Sequence, residues 1–213
     1  MLQLHYYPGN ASMTPHMVLE ELGLPFELKW VDRDHGAHKQ PEYLKLNPNG
    51  LIPVLVDDDL VLYETAAICL HLADTHPQAG LAPALGTVER AHFYKWLAWL
   101  SNTLQATHMM YWYPERWADD KAATAKVRAV AEAKIGVQLD QLDAELARHG
   151  GPWLLGERYT LLDPYTLMLC RWTRAFARPA RSLPHLGPHL QRVLARPAVQ
   201  RTFTTEGIAA PLV

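Results

Sequence analysis

The chain has 213 residues, 49% of them hydrophobic and 20% charged, with a formal charge of −2 at pH 7. That length admits one large domain or two small ones, and the composition is that of an ordinary globular protein. The near-neutral balance leaves no electrostatic footprint for nucleic acid or an anionic membrane. No stretch approaches the ~18 apolar residues of a membrane span, and the first residues lack a signal peptide's charged and apolar regions. Cys69 and Cys170 each lie within an apolar helical pattern, so they read as reduced core residues and not as a disulfide. The expected setting is cytoplasmic.

Residues 2–7 read as a strand, followed by the turn Pro8-Gly9-Asn10. Thr14-Pro15 marks a helix start, with threonine at the N-cap and proline at the first helical position. Met17, Val18 and Leu22 supply an apolar face, and Gly23 ends the helix as a C-cap glycine would. Phe26, Leu28 and Trp30 alternate along a second strand. A loop from Asp32 to Gln40 leads to a short helix-like segment over 41–48. The apolar run Ile52 to Val56 then carries a proline at its mouth. Proline cannot donate to a strand ladder, so Pro53 predicts a tight turn at the strand start, with a cis peptide as the candidate geometry. Such a turn leaves the backbone of Ile52 free to pair outside the sheet. An acidic turn, Asp57-Asp58-Asp59, separates this run from a second one, Leu60 to Tyr63.

Glu64-Thr65 falls at the next helix N-terminus, where free N–H groups and the dipole favour an anion. Thr65 adds a hydroxyl there, and Glu64 can hold a cation beside it. A ligand with an extended peptide backbone, an ammonium and a carboxylate fits all three features.

The stretch 76–83 is rich in proline and glycine and breaks the pattern. Beyond it only helical periodicity remains. One long pattern runs from Thr87 to Trp112, and another from Asp119 to His149, with Val127, Val130, Leu139, Leu142 and Leu146 among its apolar positions. Thr160 and Asp163 read as a capping box for a later helix. The 11 histidines offer no metal-ligand spacing: His35 and His38 lie in a loop, and Gly187-Pro188 interrupts His185 and His189. Arg171, Arg174 and Arg178 share a helix face and read as a solvated basic stripe or as partners of the 119–149 helix.

A βαβ unit joined to a ββα unit is thioredoxin-like. Followed by an all-helical domain, it resembles the cytosolic glutathione transferase family over nearly the whole chain. The resemblance implies an α/β thioredoxin-like N-terminal domain over 1–78, a linker over 79–86 and an all-α domain over 87–213. It implies that Ile52, before Pro53, pairs with the cysteinyl backbone of glutathione and that Glu64-Thr65 receives its γ-glutamyl end. His38 and Lys39 are in place for the glycine carboxylate. The segment 153–163 is similar to the family's capping-box segment, although Pro164 stands where an apolar staple residue is usual.

Tyr6 to Ser12 is similar to the bacterial beta class, Tyr-x-Pro-Gly-x-Cys-Ser, with Ala11 where that class has its cysteine. Mixed-disulfide chemistry is thereby disfavoured, and hydroxyl or amide donors remain. Ser12 leads, since it resembles the serine of serine-type transferases. Tyr6 is the rival, because the segment also resembles the tyrosine-bearing strand of the alpha and pi classes, and Asn10 is third. Lowering a thiol pKa by two units needs roughly 2.7 kcal/mol of thiolate stabilisation, within reach of one donor and a helix dipole.

The electrophile pocket is assigned to Met13, Met109, Tyr111, Trp112, Tyr113 and Trp117, because methionine adapts its shape and aromatics stack on flat apolar substrates. The expected protein is a homodimeric enzyme without a metal, using glutathione as co-substrate against a small hydrophobic electrophile. Still open are a non-catalytic binding protein of this fold, and isomerisation, dehalogenation or peroxide reduction by the same thiolate.

Overall fold

A computed structural model describes residues 1–213. By internal contacts the chain forms two compact units, one of residues Met1–Ala82 with Ala195–Ala209, the other of Pro83–Leu194 with Ala210–Val213. The segment 195–209 thus packs with the first unit, although in sequence it follows the helical region.

The first unit holds β1 (Leu2–Tyr6), α1 (Met13–Leu22), β2 (Phe26–Trp30), α2 (Pro41–Leu44), β3 (Val54–Asp57), β4 (Leu60–Tyr63) and α3 (Thr65–Thr75). The strands form one mixed sheet in the order β2-β1-β3-β4, with β1 parallel to β2 and β3 antiparallel to both β1 and β4. This is the thioredoxin-like arrangement expected. Leu4 and Leu55 pair across β1 and β3 and are fully buried. Val54 and Val56 point to the opposite face, where Val54 joins a cluster with Val31, Tyr43 and Ile52. Trp30 departs from the expected alternation. It is 58% exposed at the end of an edge strand, so the inner face of β2 rests on Phe26 and Leu28.

α1 begins earlier than Thr14-Pro15 suggested. Ser12 is its N-cap, and Pro15 is the third helical residue, where its missing N–H is one of the groups without an intrahelical partner anyway. Gly23 closes the helix as expected, with φ 64° and its N–H on Glu20 O.

The second unit contains α4 (Val88–Trp99), a π-helical segment Leu100–Gln105, α5 (Ala106–Trp112), α6 (Lys121–His149), α7 (Leu162–Arg171) and α8 (Leu186–Leu194). The last helix, α9 (Pro197–Thr205), packs on α1 within the first unit. Thr87 and Asp120 cap α4 and α6 by accepting from Arg90 N and Ala123 N. The buried stripe of α6 is Ala131, Ile135, Leu139, Leu142 and Leu146. Val130 lies off that stripe and is 52% exposed, which corrects its expected core place.

The capping box at α7 is built largely by the aspartate. Asp163 is fully buried, accepting from Thr160 N at 2.7 Å and from Leu154 N at 2.9 Å. The Thr160 hydroxyl makes only a long contact to Leu162 N, at 3.4 Å. The arginine stripe separates into three jobs. Arg178 pairs with Asp140 on α6, buried Arg171 donates to the carbonyls of Pro211 and Leu212, and Arg174 donates to Arg171 O. Both cysteines are fully buried and unbonded, and burial pushes their thiols well above the ordinary range. No helix is long and apolar enough to cross a membrane.

Candidate functional site

The Ile52–Pro53 peptide is cis, and Ile52 lies just before the paired register of β3, which starts at Val54. Two buried side chains hold the residue before it. Tyr43 Oη and Asn47 Nδ2 both donate to Leu51 O, at 2.9 and 2.8 Å. Asn47 also accepts Asn49 N through Oδ1, closing the turn 47–50. Gly50 has φ +57°, and a Cβ there would stand 2.8 Å from His38 O, so the 38–39 backbone lies directly on this turn. Burial holds the Tyr43 phenol well above the usual range, so it stays a donor. Neither Tyr43 nor Asn47 was singled out from sequence, although the dense NPNG turn just before Pro53 was a local sign.

Glu64 is one of only two non-glycine residues with positive φ, at 74°. It is the N-cap of α3 but makes no side-chain cap, and its exposed carboxylate has no ion-pair partner. Thr65 beside it is buried. A backbone held in a sparsely populated region, with an unpaired acid at a helix N-terminus, is a common mark of a ligand site. Beside the 47–50 turn, Lys39 Nζ donates to Asn49 O at 3.1 Å. His38 is half-buried with Nδ1 unpartnered. Burial, then Lys39 and Arg33, keep its imidazole below its ordinary pKa.

The three thiol-site candidates diverge. Ser12 is fully buried, and its hydroxyl donates to Tyr7 O at 3.1 Å while accepting Tyr7 N at 3.2 Å. That geometry leaves it no hydrogen for a ligand sulfur. Tyr6 turns toward α1, its ring 6.2 Å from His16, and burial and the Glu206 charge raise its phenol. Asn10 is half-buried, and its Oδ1 accepts Ala11 N at 2.5 Å, which leaves the amide nitrogen as a donor. Tyr7 was missed. Its ring packs on the Ile52 cluster, and its hydroxyl donates to Asp34 at 2.6 Å, tying the turn to the 32–40 loop.

Met13 is fully exposed to core and not to solvent, at 0% accessibility in the first turn of α1, so it presents nothing to an electrophile. The other expected pocket residues lie in the second unit around the end of α5. The Tyr111 ring stands 5.1 Å from Trp112 and 4.6 Å from Phe176, a residue the sequence did not flag. Trp112 and Trp117 are 42% and 49% exposed, and Arg116 lies over Tyr113 at 4.4 Å. Met109 is half-buried beside them. Gln105 accepts a hydrogen bond from Tyr165. No three His, Cys, Asp or Glu side chains gather in a metal-binding group.

Sequence comparison matches residues 10–75 to the glutathione S-transferase N-terminal domain and residues 101–197 to the C-terminal domain. The chain belongs to the glutathione S-transferase family. It is 32% identical over 207 residues to a glutathione S-transferase of Xanthomonas campestris, covering 97% of this chain and 100% of that one. Among solved structures, a glutathione transferase homologue from Sulfitobacter with bound glutathione superposes with TM-score 0.89 at 28% identity, covering 98% and 99% of the two chains. A bacterial beta class enzyme from Sphingomonas chungbukensis gives TM-score 0.84 at 28% identity, covering 97% and 100%.

Proposed function

We propose that the protein is a cytoplasmic glutathione transferase that ionises the glutathione thiol and directs it at a small hydrophobic electrophile. The observation that carries this reading is Glu64, held at positive φ with its carboxylate unpaired beside buried Thr65. Ile52 offers its backbone to the cysteinyl residue of glutathione. Glu64 takes the γ-glutamyl ammonium, while Thr65 and the first N–H groups of α3 take the carboxylate. His38 and Lys39 serve the glycine carboxylate.

The thiolate rests at the N-terminus of α1, with the Asn10 amide as donor and Ser12 as the pin that shapes the turn. Asn10 takes the leading place here because the Ser12 hydrogen is already given to Tyr7 O. The thiol proton goes to solvent, a carbon–sulfur bond forms, and the leaving group departs with its electron pair. The aromatic end of α5 (Met109, Tyr111, Trp112, Tyr113, Trp117) supports a flat electrophile, and two chains form the working homodimer.

A second reading, a glutathione-binding protein without turnover, is favoured by one observation: the Ser12 hydroxyl, at the start of α1, already gives its hydrogen to Tyr7 O. Retention on immobilised glutathione together with conjugation of an aryl halide tests both. The transferase reading expects both properties; retention without conjugation supports the binding protein, and the loss of both contradicts each.

A further inference from the structure

The carboxylate of Glu206 sits where its own helix does not favour it. It is the C-cap residue of α9, the end at which the helix dipole is negative, and the side chain is fully buried. The helix ends in a tight reversal. Gly207 N donates to Thr204 O and Ile208 N to Phe203 O, with Gly207 at φ 64°, so the backbone that aims Glu206 is held in place.

The two carboxylate oxygens reach two parts of the first turn. Oε2 accepts Gly9 N at 2.9 Å, and Oε1 lies 2.8 Å from His16 Nδ1. Gly9 has φ +70°, and the Ile208 side chain stands 3.8 Å from where a Cβ would lie. Other ion pairs also join α9 to α1. Arg196 clasps Glu21 at 2.5 and 2.7 Å, and Arg201 meets Glu20 at 2.5 Å. Neither of these pairs reaches the turn at Gly9, which Glu206 does.

We propose that Glu206 is a positioning residue of the thiol site, holding Gly9 N–H and His16 at once so that Asn10 and the start of α1 meet the glutathione sulfur in a preset geometry. This rests on the glutathione reading above. Gly9 precedes Asn10 directly, so a turn freed at Gly9 carries the Asn10 amide with it. Preset donors act without reorganising during the reaction, and small misplacements are costly.

The test compares Glu206→Ala, which removes both contacts, with Glu206→Gln, which keeps an oxygen for Gly9 N–H. Hydrogen exchange at the Gly9 amide is read without glutathione, and steady-state conjugation is read with it. Glu206→Ala should speed Gly9 exchange by about tenfold or more, as local opening requires. It should lower kcat about tenfold with KM for glutathione within about twofold, and Glu206→Gln should restore most of both. If the alanine variant does not fold, Glu206→Asp, too short to span both partners, replaces it with the same expectation. Wild-type exchange and kcat in the folded variant would overturn the proposal. If Gly9 exchange rises but the wild-type protein neither binds nor turns over glutathione, the glutathione reading fails and the turn-holding role stands. If turnover is normal and exchange at Gly9 is unmoved, the positioning role fails and the glutathione reading stands.

Discussion

At the start of α1 the Ser12 hydroxyl is the inner pin of the turn and the Asn10 amide its outer face. Ser12→Ala strips a partner from both backbone groups of Tyr7 in a buried place, a cost of about 1–3 kcal/mol. The variant should melt earlier and lose rate at every pH, with the acidic limb of the pH–rate profile unmoved. Asn10→Ala should leave the fold and glutathione binding nearly intact, move that limb upward, and slow turnover by roughly 10²-fold. Steady-state profiles of the two variants check this; an upward limb in Ser12→Ala alone would return the donor role to serine. The cis turn at Ile52–Pro53 and the helix start at Glu64-Thr65 were legible because a short sequence window holds the whole pattern. Ser12 was not, since hydroxyl direction depends on Tyr7 folding back over it. Met13 was misplaced because an adaptable side chain in a first helical turn reads equally as pocket or core. Glu206 meets Gly9 across 197 positions, and no local signal points to that pairing.

The helices carry their own predictions. Asp163 joins the start of α7 to Leu154, whereas Thr160 adds only a long contact. Both Asp163→Ala and Thr160→Ala should lower the melting temperature, by about 0.5–2 kcal/mol of stability for a lost cap, with the aspartate variant at the upper end. Thermal unfolding followed by circular dichroism measures this, and glutathione affinity should hardly change. On α5, His108 is fully buried against Trp172, and burial pulls its imidazole down to about 3. The unfolded chain then binds a proton below the ordinary histidine pKa of about 6.5 that the folded chain refuses. The stability associated with neutral His108 is therefore complete above about pH 6.5 and declines as the pH falls toward 3. His108→Phe should flatten this part of the acid-unfolding curve in denaturant titrations at pH 7 and pH 4.5. Helix identities were legible from apolar spacing, but their starts were not: Thr14-Pro15 looked like a cap because that pair is favoured there, whereas α1 starts two residues earlier, with Ser12 and Met13 both buried.

For the whole molecule, the switch from strand alternation to helical periodicity near residue 80 made the two-part architecture legible. The return of 195–209 to the first unit was not, because the apolar face of α9 says only that it is covered, not by which element. The homodimer proposed above belongs to this scale. Light scattering at micromolar concentration should report twice the 24.1 kDa chain mass, and a monomer would remove the homodimer from the account. The central claim is that Glu64 and Thr65 receive the γ-glutamyl end of glutathione. Titration calorimetry of glutathione into wild type and Glu64→Ala tests it most directly, since the acid is exposed and its removal leaves the fold intact. The account predicts a loss of about 2–5 kcal/mol in binding with an unchanged melting temperature. Affinity within twofold of wild type would contradict it.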